Sequence, residues 1–284
     1  MNARLKLYWR LVRLDKPIGI LLLLWPTLWA LFAAADGMPS SHLLLVFIFG
    51  TVLMRSAGCA MNDYFDRNVD LHVKRTQNRV LATGELRPRE ALYIAAVLGL
   101  LSLGLVLTTN VLTILLACVA GVLAVTYPLF KRFFAIPQAY LGIAFGFGIP
   151  MGFAAIQNEV PPVAWLLLAA NVCWAIAYDT EYAMVDRDDD LLLGVKSSAI
   201  TFGRYDVAIV ALCYGMALLL LGVAGSWLSY GWKFFTALSV AAMIASVHIG
   251  WIGGRDRQAC FKAFLHNTWI GATVFIGIAL EVLT

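Results

Sequence analysis

Apolar stretches of close to twenty residues follow one another along the chain, separated by short polar segments. Nine can be marked, at about 18–36, 42–63, 91–108, 111–129, 137–156, 161–183, 206–228, 234–252 and 264–282. A bilayer core about 30 Å thick takes roughly 20 helical residues to cross. Nothing alternates with period two over the roughly 10-residue segments of an outer-membrane barrel. The pattern predicts an all-α, polytopic membrane protein with nine transmembrane helices.

The connections alternate too. One set holds the N-terminus and the loops at 64–90, 130–136, 184–205 and 253–263; the other holds short turns and the C-terminus. Of the 21 Lys and Arg, all except Arg55, inside a span, and Lys233 belong to the first set. Basic loops remain in the cytoplasm, so the N-terminus is expected there and the C-terminus on the opposite side. With the span ends assigned to that side, all acidic residues except Asp36, Glu159 and Glu281 share the bias. Positive-inside sorting does not produce an acidic bias, so this face is expected to carry the function. Its long loops at 64–90 and 184–205 are candidates for a cytoplasmic cap.

Composition adds exclusions. Of 284 residues, 61% are hydrophobic and only 13% charged, against about 25% charged in soluble domains. The five cysteines and four histidines are scattered with no C-x-x-C pair, so neither a disulfide framework nor a zinc site is predicted. No nucleic acid and no obligate protein partner are expected. Arg4, Lys6, Arg10, Arg13 and Lys16 form a basic amphipathic lead-in suited to the membrane surface. The apolar run that follows ends in Ala33-Ala34-Ala35, yet it is longer than the 7–15 residues of a signal peptide and further spans follow.

Two acidic clusters stand out. In the first, Asn62, Asp66 and Asp70 are spaced four apart, so on a helix they project from one face about 6 Å apart along the axis. In the second, Asp179 and Glu181 lead into Asp186, Asp188, Asp189 and Asp190. Each cluster carries D-x-x-x-D at the end of a span, and four spans separate them, so both emerge on one side. A partial repeat results: a first half at about 1–136, a second at about 137–263 and a last helix at about 264–284, the two four-helix halves facing each other across a cavity.

A carboxylate inside a membrane helix is costly and needs a counter-charge. Four carboxylates sum to −4, and two Mg²⁺ with a bound diphosphate would leave a residual negative charge. Lys74, Arg75, Arg79, Lys131, Arg132, Arg187, Lys196 and Arg204 are available to balance it. Mg²⁺ takes one or two carboxylates plus phosphate oxygens, which suits paired D-x-x-x-D motifs. The plain alternative is a solvated loop at Asp188–Asp190 and helix-end charges at Asp66 and Asp70. A cation-coupled transporter would instead place its charges near the bilayer midplane on broken helices.

Asn62-Asp63-x-x-Asp66-x-x-x-Asp70, with His72-Val-Lys74-Arg75 and Asn78-Arg79 after it, resembles the first signature of the UbiA superfamily of intramembrane prenyltransferases. Tyr178-Asp179-Thr-x-Tyr182-Ala-Met-x-Asp186-Arg-Asp-Asp-Asp190, then Gly194-x-Lys196-Ser197, resembles the second. Asp15-Lys16-Pro17-Ile18-Gly19, Trp25-Pro26 and Arg55-x-Ala-Gly-Cys59 resemble the branch of that superfamily that prenylates 4-hydroxybenzoate. The likeness extends along nearly the whole chain, with no departure at the motif positions.

The resemblance implies nine transmembrane helices in a bacterial inner membrane, and Mg²⁺-dependent transfer from a polyprenyl diphosphate to 4-hydroxybenzoate for ubiquinone synthesis. It implies that Asn62, Asp66, Asp70, Asp186 and Asp190 hold the metal and diphosphate, with Asp66 and Asp186 essential to catalysis. Asp179, two turns deeper than Asp186, would lie near the reacting centre, assisting deprotonation of the acceptor; the bland reading is a hydrogen bond to Tyr182 or a neighbouring helix. Tyr127 and Lys131 match the family's Y-x-x-x-K and would hold diphosphate, with Arg132 beside them; alternatively they are an aromatic-belt anchor and positive-inside charges. Arg55, seven residues before Asn62, would pair with the acceptor carboxylate, for which a planar guanidinium is suited; the alternative is an ion pair with Asp179 or Asp63. Sister enzymes with naphthoate, chlorophyll-type, haem or glycerophosphate acceptors share the acidic clusters.

Overall fold

The computed structural model describes residues 3–73, 75–130, 134–194 and 196–284, without the side chains of 128–130 and 193. A short helix α1 (Ala3–Leu11) precedes α2 (Ile18–Ala35) and α3 (Ser41–Asp66). A 3₁₀ turn at Asp70–His72 leads to α4 (Pro88–Val106) and α5 (Val111–Phe130). Then come α6 (Pro137–Gly146), α7 (Gly148–Gln157), α8 (Pro162–Leu193) and the single-turn α9 (Ser198–Phe202). Helices α10 (Asp206–Trp227), α11 (Trp232–Ile252) and α12 (Arg257–Leu283) complete the chain.

Among the described residues, eight segments are long and apolar enough to cross a membrane, with α6–α7 and α9–α10 each counted as one. The apolar helix Val111–Tyr127 is shorter than that criterion. Two boundaries depart from the sequence expectation. Helix α8 does not stop near 183 but continues to Leu193, where Gly194 adopts φ +67° and accepts the left-handed cap without a Cβ penalty. The second acidic cluster therefore lies on a helix rather than in a loop. Conversely, α3 ends at Asp66, so Asp70 leaves the helical row with Asn62 and Asp66 and begins the 3₁₀ turn.

Helices meet through small residues, as expected where lipid supplies no hydrophobic drive for association. A Cβ on Gly142 of α6 would fall 2.9 Å from Val172 Cα of α8, and one on Gly152 of α7 would fall 3.2 Å from Ala30 Cβ of α2. Gly271 of α12 leaves room for Trp25 and Trp174, and its carbonyl accepts from Trp29 Nε1 at 2.9 Å. The dry core formed by α2, α7, α8, α10 and α12 is rich in aromatics, with Trp29 and Trp174 at a ring separation of 5.5 Å. Leu100, Leu101, Val111, Val122 and Leu219 are exposed on the outer faces of α4, α5 and α10, as lipid-facing residues are. A second, smaller cluster joins Leu11 to Val80, Leu86 and Ala91, seating α1 and the loop after α3 against the C-terminal end of α3.

Candidate active site

Helix α3 organises the site. Its C-terminal half presents Arg55, Cys59, Asn62 and Asp63 over a little more than two turns. The Arg55 guanidinium donates from Nη1 to Cys59 Sγ at 3.0 Å and lies 5.4 Å from the Phe145 ring centre on α6. Its Nε is buried and has no hydrogen-bond partner. An ion pair between Arg55 and Asp63 does not form. Asp63 instead accepts from Arg13 Nη2 at 2.9 and 3.1 Å and lies 3.1 Å from Arg79 Nη1. Arg13, in the turn after α1, thus ties the N-terminal lead-in to α3, a role that its sequence position alone leaves open.

Arg55 and Asn62 of α3, Tyr127 of α5 and Phe145 of α6 line one cavity of about 590 Å³. Its polar end lies among those side chains. Its walls continue along apolar and small residues of α3, α4, α5 and α7, including Phe47, Gly99, Gly121 and Met151. From Asn62 to Phe47 is fifteen residues of helix, roughly 22 Å along the axis.

The loop after α3 folds back over the site. Arg79 Nη1 donates to both oxygens of Asp70, at 2.9 and 3.1 Å. Burial pushes the Asp70 pKa up, while Arg79 pulls it down. Arg75 crosses to α8: its Nε donates to Asp186 at 3.0 and 3.1 Å, its Nη2 donates to the same carboxylate, and its guanidinium lies 4.0 Å from the Tyr182 ring centre. Arg75 thereby joins the segment that follows the first acidic motif to the second motif. Sequence spacing placed both clusters on one side; this bridge is a tertiary fact.

The remaining acidic residues of α8 divide by face. Asp188 accepts from Arg257 at 2.9 Å, and Asp189 lies 3.6 Å from the same guanidinium. Glu181 turns the other way. Fully buried, it lies 2.8 Å from the Tyr214 hydroxyl of α10 and accepts from Asn267 Nδ2 of α12 at 2.8 Å. Arg187 and Arg204, expected among the diphosphate cations, have other neighbours. Arg187 donates to Asp206 at 3.2 Å, beside Arg255 on the same carboxylate, and Arg204 stacks on Tyr205. Asp66, Asp179 and Asp190 are half-buried. Lys74, Lys131 and Arg132 lie outside the described residues.

Among the described residues, no three His, Cys, Asp or Glu side chains form a ready-made metal cage. The donor set nonetheless suits a hard divalent cation shared with a phosphate ligand. It consists of carboxylate and amide oxygens, and Asn62 Oδ1 is buried with no partner although its side chain lines the cavity. Arg75 and Arg79 occupy two of the carboxylates, supplying the positive charge such oxygens require.

Residues 23–271 match the UbiA prenyltransferase family. This chain belongs to that family. It is 62% identical over 280 residues to a 4-hydroxybenzoate octaprenyltransferase of Cupriavidus pinatubonensis, covering 99% of this chain and 98% of that one. It is likewise 62% identical over 283 residues to the enzyme of that name from an Azoarcus species, covering 100% and 99%. Among solved structures, a UbiA homologue from Aeropyrum pernix superposes with a TM-score of 0.81 at 22% identity, covering 93% of this chain and 98% of that one. A UbiA homologue from Archaeoglobus fulgidus bound to GPP and Mg²⁺ superposes with a TM-score of 0.72 at 18% identity, covering 98% and 99%. Gly19 and Phe145, to which motif reading gives no role, meet Arg55 only through packing.

Proposed function

We propose that this chain catalyses transfer of a polyprenyl group from polyprenyl diphosphate to the ring carbon ortho to the hydroxyl of 4-hydroxybenzoate, releasing diphosphate, in ubiquinone biosynthesis. The names of its relatives at about 60% identity support this reaction and suggest an eight-isoprene donor. The observation that carries the reading is one continuous cavity with Arg55, Asn62 and Tyr127 at its polar end and an apolar groove behind them. Such a cavity suits an aromatic acid at its polar end and the first isoprene units of a hydrocarbon tail along its apolar walls.

Asn62, Asp66, Asp70, Asp186 and Asp190 would hold Mg²⁺ with the diphosphate, and that ion would supply charge stabilisation to the leaving group. Arg75 and Arg79, with Lys131, Arg132 and Tyr127, neutralise and hydrogen-bond the diphosphate oxygens. The allylic C–O bond breaks with its electron pair going to diphosphate, an electrostatic effect of the kind that often dominates catalysis. The acceptor's ortho carbon then forms the new C–C bond to the allylic carbon. Asp179 assists in taking up the proton lost as the ring regains aromaticity. Arg55, whose side chain lines the cavity, receives the acceptor carboxylate.

The chain lies in the bacterial inner membrane, with its N-terminus and active site cytoplasmic and its C-terminus on the opposite side; the distribution of Lys and Arg supports this orientation. Two carboxylate-bearing halves, with α3 and α8 as counterparts and α12 added, fit the same arrangement. Membranes carrying the protein, given Mg²⁺, octaprenyl diphosphate and a panel of aromatic acceptors, should yield prenylated 4-hydroxybenzoate. Turnover confined to a naphthoate or another acceptor would move the chain to a sister activity.

A further inference from the structure

Helices α2 and α12 run parallel, joined where Trp25 Nε1 donates to Thr268 Oγ1 at 3.0 Å and Trp29 Nε1 donates to the Gly271 carbonyl at 2.9 Å. A groove of about 580 Å³ opens along this pair and shares no lining residue with the cavity described above. One side is apolar, with Ile18, Leu21 and Trp25 from α2 and Phe261 and Leu265 from α12. The other carries Gln258, Lys262 and His266. These three are spaced four apart, so they form a polar stripe along one face of α12, about 12 Å long.

Packing does not call for the stripe, since Gln258 and Lys262 are exposed. The Lys262 ammonium lies 4.0 Å from the Trp251 ring centre on α11, and among the described residues it has no carboxylate partner. No Asp or Glu lines the groove. The arginines near the start of α12 are matched, by contrast, Arg255 to Asp206 and Arg257 to Asp188. His266 meets His248 through Nδ1 at 3.0 Å, which leaves its Nε2 without a protein partner. The stripe lies near the start of α12, and Ile18 opens α2. Both helix starts are where apolar segments give way to polar connections, the level at which a bilayer holds its headgroups.

We propose that this groove binds one phospholipid with an anionic headgroup, its phosphate on Lys262 and Gln258 and an acyl chain along Ile18, Leu21 and Leu265. Basic pockets between transmembrane helices select anionic lipids in this way. A cation at this level is costly without a counter-charge, and the phosphate supplies the one that the protein withholds. Trp251 engages the ammonium from one side only, so donors remain for an anion. The bound chain would fill the groove and brace α2 against α12.

The test uses the full chain in detergent, with phosphatidylglycerol or phosphatidylcholine of identical acyl chains added, read by native mass spectrometry and thermal melts. One phosphatidylglycerol should be retained per chain and raise the melting temperature. It should act at a concentration about fivefold below that needed for phosphatidylcholine, the scale of one basic residue at an anionic surface. Lys262→Met should abolish this preference and Lys262→Arg should keep it. Leu265→Trp keeps the charge but fills the groove, so it should lose the retained lipid. Equal retention of the two lipids overturns the proposal, as does a preference that survives Lys262→Met. Undiminished phosphatidylglycerol binding in Leu265→Trp would place the lipid outside the groove and overturn it too. So would pairs of chains formed in place of the bound lipid, which would give the groove to a second copy.

Discussion

A Cβ placed on Gly19 would stand 2.7 Å from Nη2 and 2.9 Å from Nε of Arg55. Gly19 lies in the first turn of α2, where its backbone takes no unusual dihedral, so the requirement for glycine there is one of space. The guanidinium lies against α2 on this side and over Phe145 of α6. Gly19→Ala should therefore displace Arg55 without unfolding α2. The acceptor KM should rise about tenfold, equivalent to roughly 1.4 kcal/mol, with the KM for prenyl diphosphate unchanged. Equal kinetics in Gly19→Ala and the parent would show that Arg55 can shift without consequence.

Asp66 and Asp186 belong to the two motifs on which the metal reading depends. Asp66→Asn and Asp186→Asn should each abolish most turnover while the protein remains in the membrane fraction at normal abundance. Near-normal rates in both variants would sink the assignment of these carboxylates to the metal and diphosphate.

Arg75 and a divalent cation bid for the same carboxylate, Asp186. Arg75→Gln should free that carboxylate, so that Mg²⁺ alone stabilises the variant at lower concentration than it stabilises the parent in thermal melts. The same variant should bind diphosphate more weakly, having lost a cation. Parallel weakening of both ligands would show that Arg75 organises the loop rather than competing with the metal.

Glu181 is an acidic residue of the second motif without a place in the chemistry. Its carboxylate gathers Tyr214 and Asn267, and Asn267 Oδ1 in turn accepts from Trp174 Nε1 at 2.9 Å. His248 of α11 adjoins the group, 3.2 Å from the Tyr214 hydroxyl and 3.0 Å from His266. Glu181→Ala would strand buried donors at about 1–3 kcal/mol each. A clear fall in melting temperature is expected, with KM values for both substrates retained by the protein that remains folded. A variant as stable as the parent would show the network to be dispensable.

Much of the molecule is legible in the sequence because the bilayer imposes simple rules. Length and apolarity mark the segments able to cross a membrane, and the distribution of Lys and Arg is the ground on which an orientation is proposed. The four-residue spacing of carboxylates is what singles out Asp66 and Asp186 as candidates for a site. The same spacing misled at Asp70, because periodicity does not register where a helix yields to a turn; Arg79 draws this carboxylate into the loop. It misled in the opposite sense at 184–193, where charged residues read as a loop but continue α8 as far as Gly194.

The partners of each charge were decided by the tertiary structure alone. By sequence, Arg55 had Asp63 and Asp179 as candidate partners, yet Asp63 is taken by Arg13 and Arg79, residues from segments flanking α2–α3. Arg187 has the charge for diphosphate but turns to Asp206, and Glu181 shares a motif with Asp186 but faces another set of helices. Composition and spacing set how many charges lie at the ends of the apolar segments. Which oxygen meets which nitrogen depends on contacts of a few ångströms between helices far apart in the chain, and those follow from how small residues such as Gly19, Gly142 and Gly152 let the helices approach.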